Sequence, residues 1–526
     1  MLLWVCAGCD ILSAQTQTSF QVKGYAYMFY SPEGYTIGDT WQYSCGPVVH
    51  AFFLQWRGFD DMSDTESGSI GHIVSDDMLK WTELPCALVR GGAGEYDELD
   101  LWTGSCVGKD GRFYLFYTSR NRNNPDANAI SVAVSDDGVN FKKYERNPVL
   151  VPCHRFYCGE KNKTPLAVHG NQNFSIVDCR DMHVVYDSKS GYWYGYTAMR
   201  RPANECTETS VIACARSCDL LAWESLPPCF APDRYHCIET PDVFEMNGIW
   251  YMLCLTGNHY GQRNTTGDPG MEGCLTIYAV SDSPVGPFTE PENNVLLGSS
   301  QLSGICAKTV LREGERYLFY TQANGEKRSL SFPKRVISDD SGRLHLMWYE
   351  ETEKLFIPEP VYFTADKALA NSGKWGSIVP VGHEGNSVSL SPAHDWAVQI
   401  YDISAGSFVL DTHITAPDAH SIGIVFGLKG DNIYSDNRLV LADFDEGGIW
   451  LTRLRNFPRT CTRRHTVDRN GFDLKLAVLD TAVEVYINGE LVLHYQADNM
   501  PGKLGFYAER GRAVFDNTVL YRVKDL

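Results

Sequence analysis

Three acids, Asp39, Asp181 and Glu239, stand at nearly equal distances ahead of aromatic strand-like runs. They precede Phe52 by 13 residues, Trp193 by 12 and Tyr251 by 12. Side chains at equivalent positions of a circular repeat converge on its axis. A pocket of two or three carboxyls can keep one ionised for nucleophilic attack and another protonated to serve a leaving oxygen. That is the chemistry of glycosidic bond cleavage.

The elements that must carry these acids recur along the chain. Apolar runs begin at Val48 (VVHAFFLQ), Arg112 (RFYLFYT), Tyr192 (YWYGYT), Ile249 (IWYMLCL) and Arg316 (RYLFYT), and four of them follow an evident turn. Their aromatic and β-branched content predicts strands. A second phrase trails the first four runs: SDDMLKW at Ser75, SDDGVNF at Ser135, SCDLLAW at Ser217 and SDSPVGPF at Ser281, with a weaker copy near Ser338. Five such units of several short strands each predict an all-β chain with a five-bladed β-propeller. A plain β-sandwich with similar hairpins would not repeat this phrase at that interval. The first strand of each blade would line the channel and carry Asp39, Trp102, Asp181, Glu239 and roughly Gly304 in turn.

The texture changes near residue 350. A connector gives way to alternating strands such as SFVLDTHI, SIGIVFGL and FDLKLAVL, and VYINGELVLHY reads as a hairpin turning at Asn488-Gly489. The expected organisation is an N-terminal tail or remnant signal segment (1–24), the propeller (25–350), a linker (351–379) and a lectin-like β-sandwich (380–526). The tail lacks a basic start, so a cytoplasmic and a secreted location both remain open.

Composition narrows the partners. With 46 Lys and Arg against 65 Asp and Glu, the net charge of −19 repels nucleic acid and anionic membrane alike, whereas a neutral sugar is indifferent to it. No stretch approaches the roughly 20 apolar residues of a membrane span. Of the 17 cysteines, Cys106, Cys254 and Cys274 lie in apolar runs and read as buried hydrophobes. Cys153/Cys158 and Cys214/Cys218 lack the histidine spacing of a zinc site, so no metal is expected. The sequons at Asn162, Asn173 and Asn264 decide nothing.

Four motifs in order carry a resemblance. IGDTWQYSCGPVVHAFFLQWR with GHIVSDDMLKWTELP, LWTGSCVGKDGRFYLFYT, RDMHVVYDSKSGYWYG and ETPDVFEMNGIWYML resemble glycoside hydrolase family 32, the invertases, inulinases and levanases. The resemblance covers nearly the whole chain. It implies a retaining hydrolase of β-fructofuranosidic bonds in sucrose or fructans, with no cofactor, acting on a small sugar or an oligosaccharide. Asp39 would be the nucleophile, Glu239 the acid/base, and Asp181 the stabiliser that grips the furanose hydroxyls. Mutual repulsion would keep Glu239 protonated and Asp39 ionised. Arg180 would bind a hydroxyl and keep Asp181 charged. Trp102 and Thr103 match the family's Trp/Phe-Ser-Gly-Ser element. Trp41 is a candidate stacking wall and Gln55 a candidate substrate contact, while His72 is expected to hydrogen-bond structurally.

The chain departs from the family at three points. Gly38-Asp39-Thr40-Trp41 replaces Asn-Asp-Pro-Asn, Met182 replaces Pro, and Thr240 replaces Cys beside the acid/base. The acids are retained, so these changes bear on specificity and on pH optimum. The alternatives are an inverting arabinan or xylan hydrolase of family 43 type on the same propeller, a carbohydrate-binding protein without catalysis, and a fructosyltransferase.

Overall fold

The structure is a computed structural model. It describes residues 25–27, 29–57, 68–121, 124–159, 166–168, 172–174, 178–202, 210–235, 237–257, 274–298, 305–324, 327–373, 381–392, 395–429, 436–454, 459, 465–479, 481–496 and 501–524. The sequons at Asn162 and Asn264, the N-terminal tail and Gly304 lie outside these residues, whereas Asn173 falls in the short strand Gln172–Phe174. Strands dominate, with short 3-10 turns at Glu350–Leu355 and Ala365–Lys367. Among the described residues no helix is long and apolar enough to cross a membrane. The chain divides into two compact units, one running to Leu344 and the other from His345.

Among the described residues, the first unit contains a two-stranded ribbon, Leu166–Val168 with Gln172–Phe174, and five larger antiparallel strand groups, each with one strand turned toward the others. These lead strands are Thr36–Cys45, Asp100–Lys109, Cys179–Asp187, Glu239–Met246 and Ile305–Arg312. Each pairs with one of the aromatic runs, now Val48–Trp56, Arg112–Asn121, Tyr192–Arg200, Ile249–Gly257 and Glu315–Asn324. Contacts between lead strands run first to second, second to third, third to fourth, fourth to fifth, and fifth back to first.

The repeated Ser-Asp phrase is turn chemistry. Ser75 Oγ accepts from Met78 N at 2.7 Å, and Asp77 Oδ1 accepts from Leu79 N and Lys80 N at 2.8 and 2.7 Å. Ser135 with Asp137, and Ser217 with Asp219, repeat these bonds. The turn needs a left-handed residue, and finds it in Met78 (φ 61°), Gly138 (φ 73°) and Leu220 (φ 72°). Only the glycine adopts that conformation without steric cost, so the hydroxyl and carboxylate bonds must outweigh the strain at the other two.

The aromatic residue closing each phrase packs on the preceding sheet. Phe141 meets Phe52, Trp223 meets Phe116, and Phe288 meets Tyr196, all edge-on. Trp81 of the first sheet meets Phe319 of the fifth. The fifth sheet reaches the fourth by a hydrogen bond from Tyr251 Oη to Gly342 O, 2.9 Å. The cysteines in these strands behave as apolar filler: Cys106, Cys254 and Cys274 are buried free thiols, and Cys153, Cys214 and Cys218 are also free. Cys45 is disulfide-bonded.

The second unit consists of two sheets around one apolar core. Phe408, Leu410 and Ile414 come from one sheet, Ile422, Ile424 and Phe426 from the other, and all are buried. The hairpin turn falls at Asn488 (φ 50°) and Gly489 (φ 84°), the positive pair that the sequence requires. Segment 351–379, expected to be a linker, also supplies strands to this unit. Val361–Tyr362 pairs with Ala513–Arg522, Ala368–Gly373 pairs with Trp396–Ala405, and Phe363 is in the core.

Candidate active site

Strand pairing breaks at the same place in all five lead strands. The ladder skips Gly38 and Asp39 in the first, Thr103 in the second, Asp181 and Met182 in the third, Thr240 and Pro241 in the fourth, and Cys306 and Ala307 in the fifth. Bulges of this kind re-aim side chains and are frequent next to active sites. Asp181, Thr240 and Cys306 take positive φ there, at 64°, 48° and 50°. The three acids are therefore not in one phase, as their spacing suggested. Asp39 is the second skipped residue of its bulge, Asp181 the first of its own, and Glu239 the last paired residue before one.

Hydrogen bonds tie these bulges together. Thr103 Oγ1 donates to Asp39 Oδ2. Thr118 Oγ1 donates to Thr103 O at 2.9 Å and accepts from Asp181 N at 2.8 Å. Asp181 Oδ2 accepts from Thr240 N at 3.2 Å. Arg180 Nη2 donates to Glu239 Oε2 at 3.0 Å, while its Nε lies 3.4 Å from Asp181 Oδ2. Asp178 fixes this arginine from behind, at 2.5 Å, and also holds Arg200 Nε at 2.6 Å. One guanidinium thus links two of the acids, and two threonines link the third.

The electrostatics differ from expectation. Burial, then the charge of Glu239, pushes the Asp39 carboxyl up to about 6, against the pull of Thr103, Lys308 and Arg328. Burial also raises Asp181. Arg180 opposes that rise, but the charges of Glu239 and Asp39 reinforce it. Arg180 is expected to keep Asp181 charged; it does pull the carboxyl down, but the guanidinium is shared among Asp178, Asp181 and Glu239, and desolvation outweighs its share. Likewise, the carboxyl of the expected nucleophile is raised, because it is desolvated beside a second acid.

The softer candidates separate. Trp102 Nε1 donates to Asp100 Oδ2 at 2.8 Å, and the Arg120 guanidinium lies 4.3 Å over its ring. Trp41 is corrected: it is 1% exposed in the core, stacked on Phe52, so it offers no wall to a substrate. Gln55 is buried inside the first sheet, donating to Ser69 Oγ and Cys86 Sγ at 3.0 and 3.1 Å, and these bonds turn it away from the substrate role expected of it. His72 pairs with His50, Nε2 to Nδ1 at 3.0 Å, in a buried stack with Phe52. Burial drives both imidazoles toward the neutral form.

Other residues escaped the sequence reading. Lys308 is buried, and its Nζ donates to Pro241 O at 2.5 Å within the fourth bulge. Cys237 Sγ lies 3.2 Å from Arg180 Nη2 and 3.9 Å from Glu239 Oε2. Thr118, Thr256 and Thr321 each donate to a carbonyl at or just before a bulge: Thr103 O, Cys237 O and Gly38 O. Their signal was visible as the threonine that closes the aromatic runs FYT, CLT and FYT. The departure at Gly38 also has a cause. A Cβ there would stand 2.4 Å from the Trp56 ring, so the family's asparagine does not fit without moving Trp56.

With this geometry in view, the comparisons agree. Residues 46–268 match the family described as "Glycosyl hydrolases family 32 N-terminal domain", a span that holds Asp181 and Glu239 and begins after Asp39. The chain is 36% identical to sucrose-6-phosphate hydrolase of Bacillus subtilis, over 18% of this chain and 19% of that protein. It is 24% identical to sucrose-6-phosphate hydrolase of Escherichia coli, over 86% of each. The fold is similar to that of exo-inulinase from Aspergillus awamori, with a TM-score of 0.66 and 18% identity over 96% of this chain and 100% of that one. The family match and the sucrose-6-phosphate hydrolase relatives place the chain among glycoside hydrolases. Residues 46–268 thus resemble a family 32 domain, and over the shares given the chain is similar to sucrose-6-phosphate hydrolases.

Proposed function

We propose that this protein hydrolyses β-fructofuranosidic bonds in sucrose or in fructans of inulin or levan type, with retention at the anomeric carbon. The observation that carries the reading is the junction of three acids from three sheets, two through Arg180 and the third through Thr103 and Thr118. In this reading the five sheets are the blades of a propeller spanning 25–350, and the cycle of lead-strand contacts supports it. Residues 351–379 connect it to a lectin-like sandwich at 380–526.

Asp39 attacks the anomeric carbon and forms a covalent fructosyl ester, while Glu239 protonates the departing oxygen. Glu239 then takes a proton from water as that water opens the ester. Retention needs nucleophile and acid/base about 5–5.5 Å apart. Asp181 accepts hydrogen bonds from furanose hydroxyls and strengthens them as positive charge develops on the ring. Substrate displaces water from the pocket, and the positive ring in the transition state favours ionised Asp39 and Asp181. None of these steps calls for a cofactor. The named relatives, hydrolases of sucrose 6-phosphate and of inulin, support the substrate class.

The test is release of free fructose from sucrose, sucrose 6-phosphate, inulin and levan, with arabinan and xylan oligosaccharides alongside. Fructose release that vanishes in Asp39→Asn and in Glu239→Gln is the expected result. Cleavage of pentosans alone would overturn the fructoside assignment, and no cleavage of any sugar would overturn the enzymatic reading.

A further inference from the structure

The acids stand at or before the bulges. Beyond them, the same five lead strands end around a second cavity of about 480 Å3, within the ~300–1,000 Å3 range of small-molecule sites. Each lead strand contributes to its lining, through Tyr43, Val107, Tyr186, Glu245 and Leu311 among others. The cavity is thus a second opening on the strands that carry the candidate active site, facing away from it.

Two features mark it as built to hold something. Tyr186 is 48% exposed and tilted against its cross-strand partner Trp193, with ring centroids 5.0 Å apart. The pair offers a broad aromatic surface to water at the cavity wall. Beside it, the Arg316 guanidinium lies 4.2 Å over Phe244, and Nη1 donates to Thr309 Oγ1 at 2.9 Å. Among the described residues, Arg316 forms no ion pair. Burial lowers it to about 10 despite the charges of Asp242 and Glu245. A guanidinium has five N–H donors, so most of its capacity is unspent at this wall.

The lining also selects the chemistry. Asp187 and Glu245 balance Lys189 and Arg316 in the lining, so an anion would gain no net charge there and would face a chain of net charge −19. An aromatic face flanked by planar donors and acceptors instead suits a neutral polyhydroxyl ring. The ring's C–H face lies on the aromatics, and its hydroxyls bridge guanidinium and carboxylate. We propose that this cavity is a second saccharide site, which binds a neutral oligosaccharide across Tyr186 and Trp193 with its hydroxyls on Arg316 and Glu245. The site is independent of which glycosidic bond the other pocket cleaves.

Tyr186 is exposed, so Tyr186→Ala leaves the fold intact. The full-length Asp39→Asn protein, which cannot turn substrate over, is titrated calorimetrically with 1-kestose and with maltotriose, with and without Tyr186→Ala. The expected result is a binding event weakened at least tenfold by Tyr186→Ala for one or both sugars. In an otherwise unaltered chain, Tyr186→Ala should leave the rate of fructoside hydrolysis unchanged. Isotherms that are the same with and without Tyr186→Ala, or no binding of either sugar, would overturn the proposal. Binding that depends on Tyr186 in a chain that cleaves no fructoside would retain this site and reject the proposed activity. Cleavage without such binding would do the reverse.

Discussion

Arg180 Nη2 lies 3.0 Å from Glu239 Oε2, while its Nε faces Asp181 at 3.4 Å. One cation therefore stands between the proposed acid/base and the proposed stabiliser, and Asp178 prevents it from leaving either. Arg180→Met removes this shared partner and leaves two buried acids facing one another. The expected loss in kcat is about 10²–10³-fold, the scale seen when one preorganised donor is removed from an active site. Asp178→Asn should lose less, because the guanidinium stays charged but is less firmly held. Steady-state kinetics of both variants on the same fructoside check the order; equal losses would contradict the shared-cation account.

The position of Asp39 predicts the pH profile. A nucleophile raised to about 6 is protonated below that pH, so kcat/KM should climb as pH rises through about 6. The limb belongs to the coupled acids together, since Asp181 is raised as well. Thr103 donates to Asp39 and pulls its carboxyl down. Thr103→Val should therefore move the acid limb to higher pH, with the plateau reached later. A limb that stays in place would separate Thr103 from the titrating group.

The same shift has a sign for stability. In the unfolded chain Asp39 titrates near the ordinary carboxylate value, and in the fold near 6. Between those values the native state binds the extra proton, so the penalty is absent below about pH 4 and fully developed above pH 6. Asp39→Asn removes it. The variant should gain up to ~3 kcal/mol at pH 7, an upper bound of 1.36 kcal/mol per pKa unit, and gain nothing at pH 4. Urea unfolding at the two pH values measures the difference. Equal gains at both would show that the effect is not electrostatic.

Trp81, 1% exposed, meets Phe319 edge-on with centroids 5.9 Å apart. Removal of a buried aromatic of this size costs about 3–5 kcal/mol. Trp81→Ala should lower the unfolding temperature of the first unit, and Trp81→Phe should recover most of the loss. Thermal unfolding followed by tryptophan-independent circular dichroism reads both. A Trp81→Ala protein as stable as the parent would mean that the first and fifth sheets do not hold one another.

The strands, the turn phrase and the two-unit organisation were legible because each is local chemistry. A serine and an aspartate two residues apart bind the amides that follow, and aromatic runs at a regular interval need partners. The three acids stood out as candidates for the same reason. Their stagger was not: residue spacing counts positions along one strand, whereas a bulge inserts residues that the partner strand does not match. Trp41 was misplaced because a tryptophan beside an acid reads the same whether it points to the channel or to the core. Gln55 was misplaced because its partners, Ser69 and Cys86, sit on neighbouring strands that sequence does not align. The linking threonines lay in plain view at the end of three of the aromatic runs, but a hydroxyl that serves a backbone carbonyl leaves no charge pattern to notice.

The series of aromatic contacts has a consequence for how the chain is made. On the ribosome, Phe141, Trp223 and Phe288 each find their partner already synthesised, on the sheet just before. Trp81 alone must wait, since Phe319 emerges last among these residues. Growth is thus vectorial until the fifth sheet appears, and only then is the earliest seam sealed. A nascent chain stalled before residue 319 carries an unsatisfied tryptophan near its oldest end, which is the surface a chaperone would be expected to find.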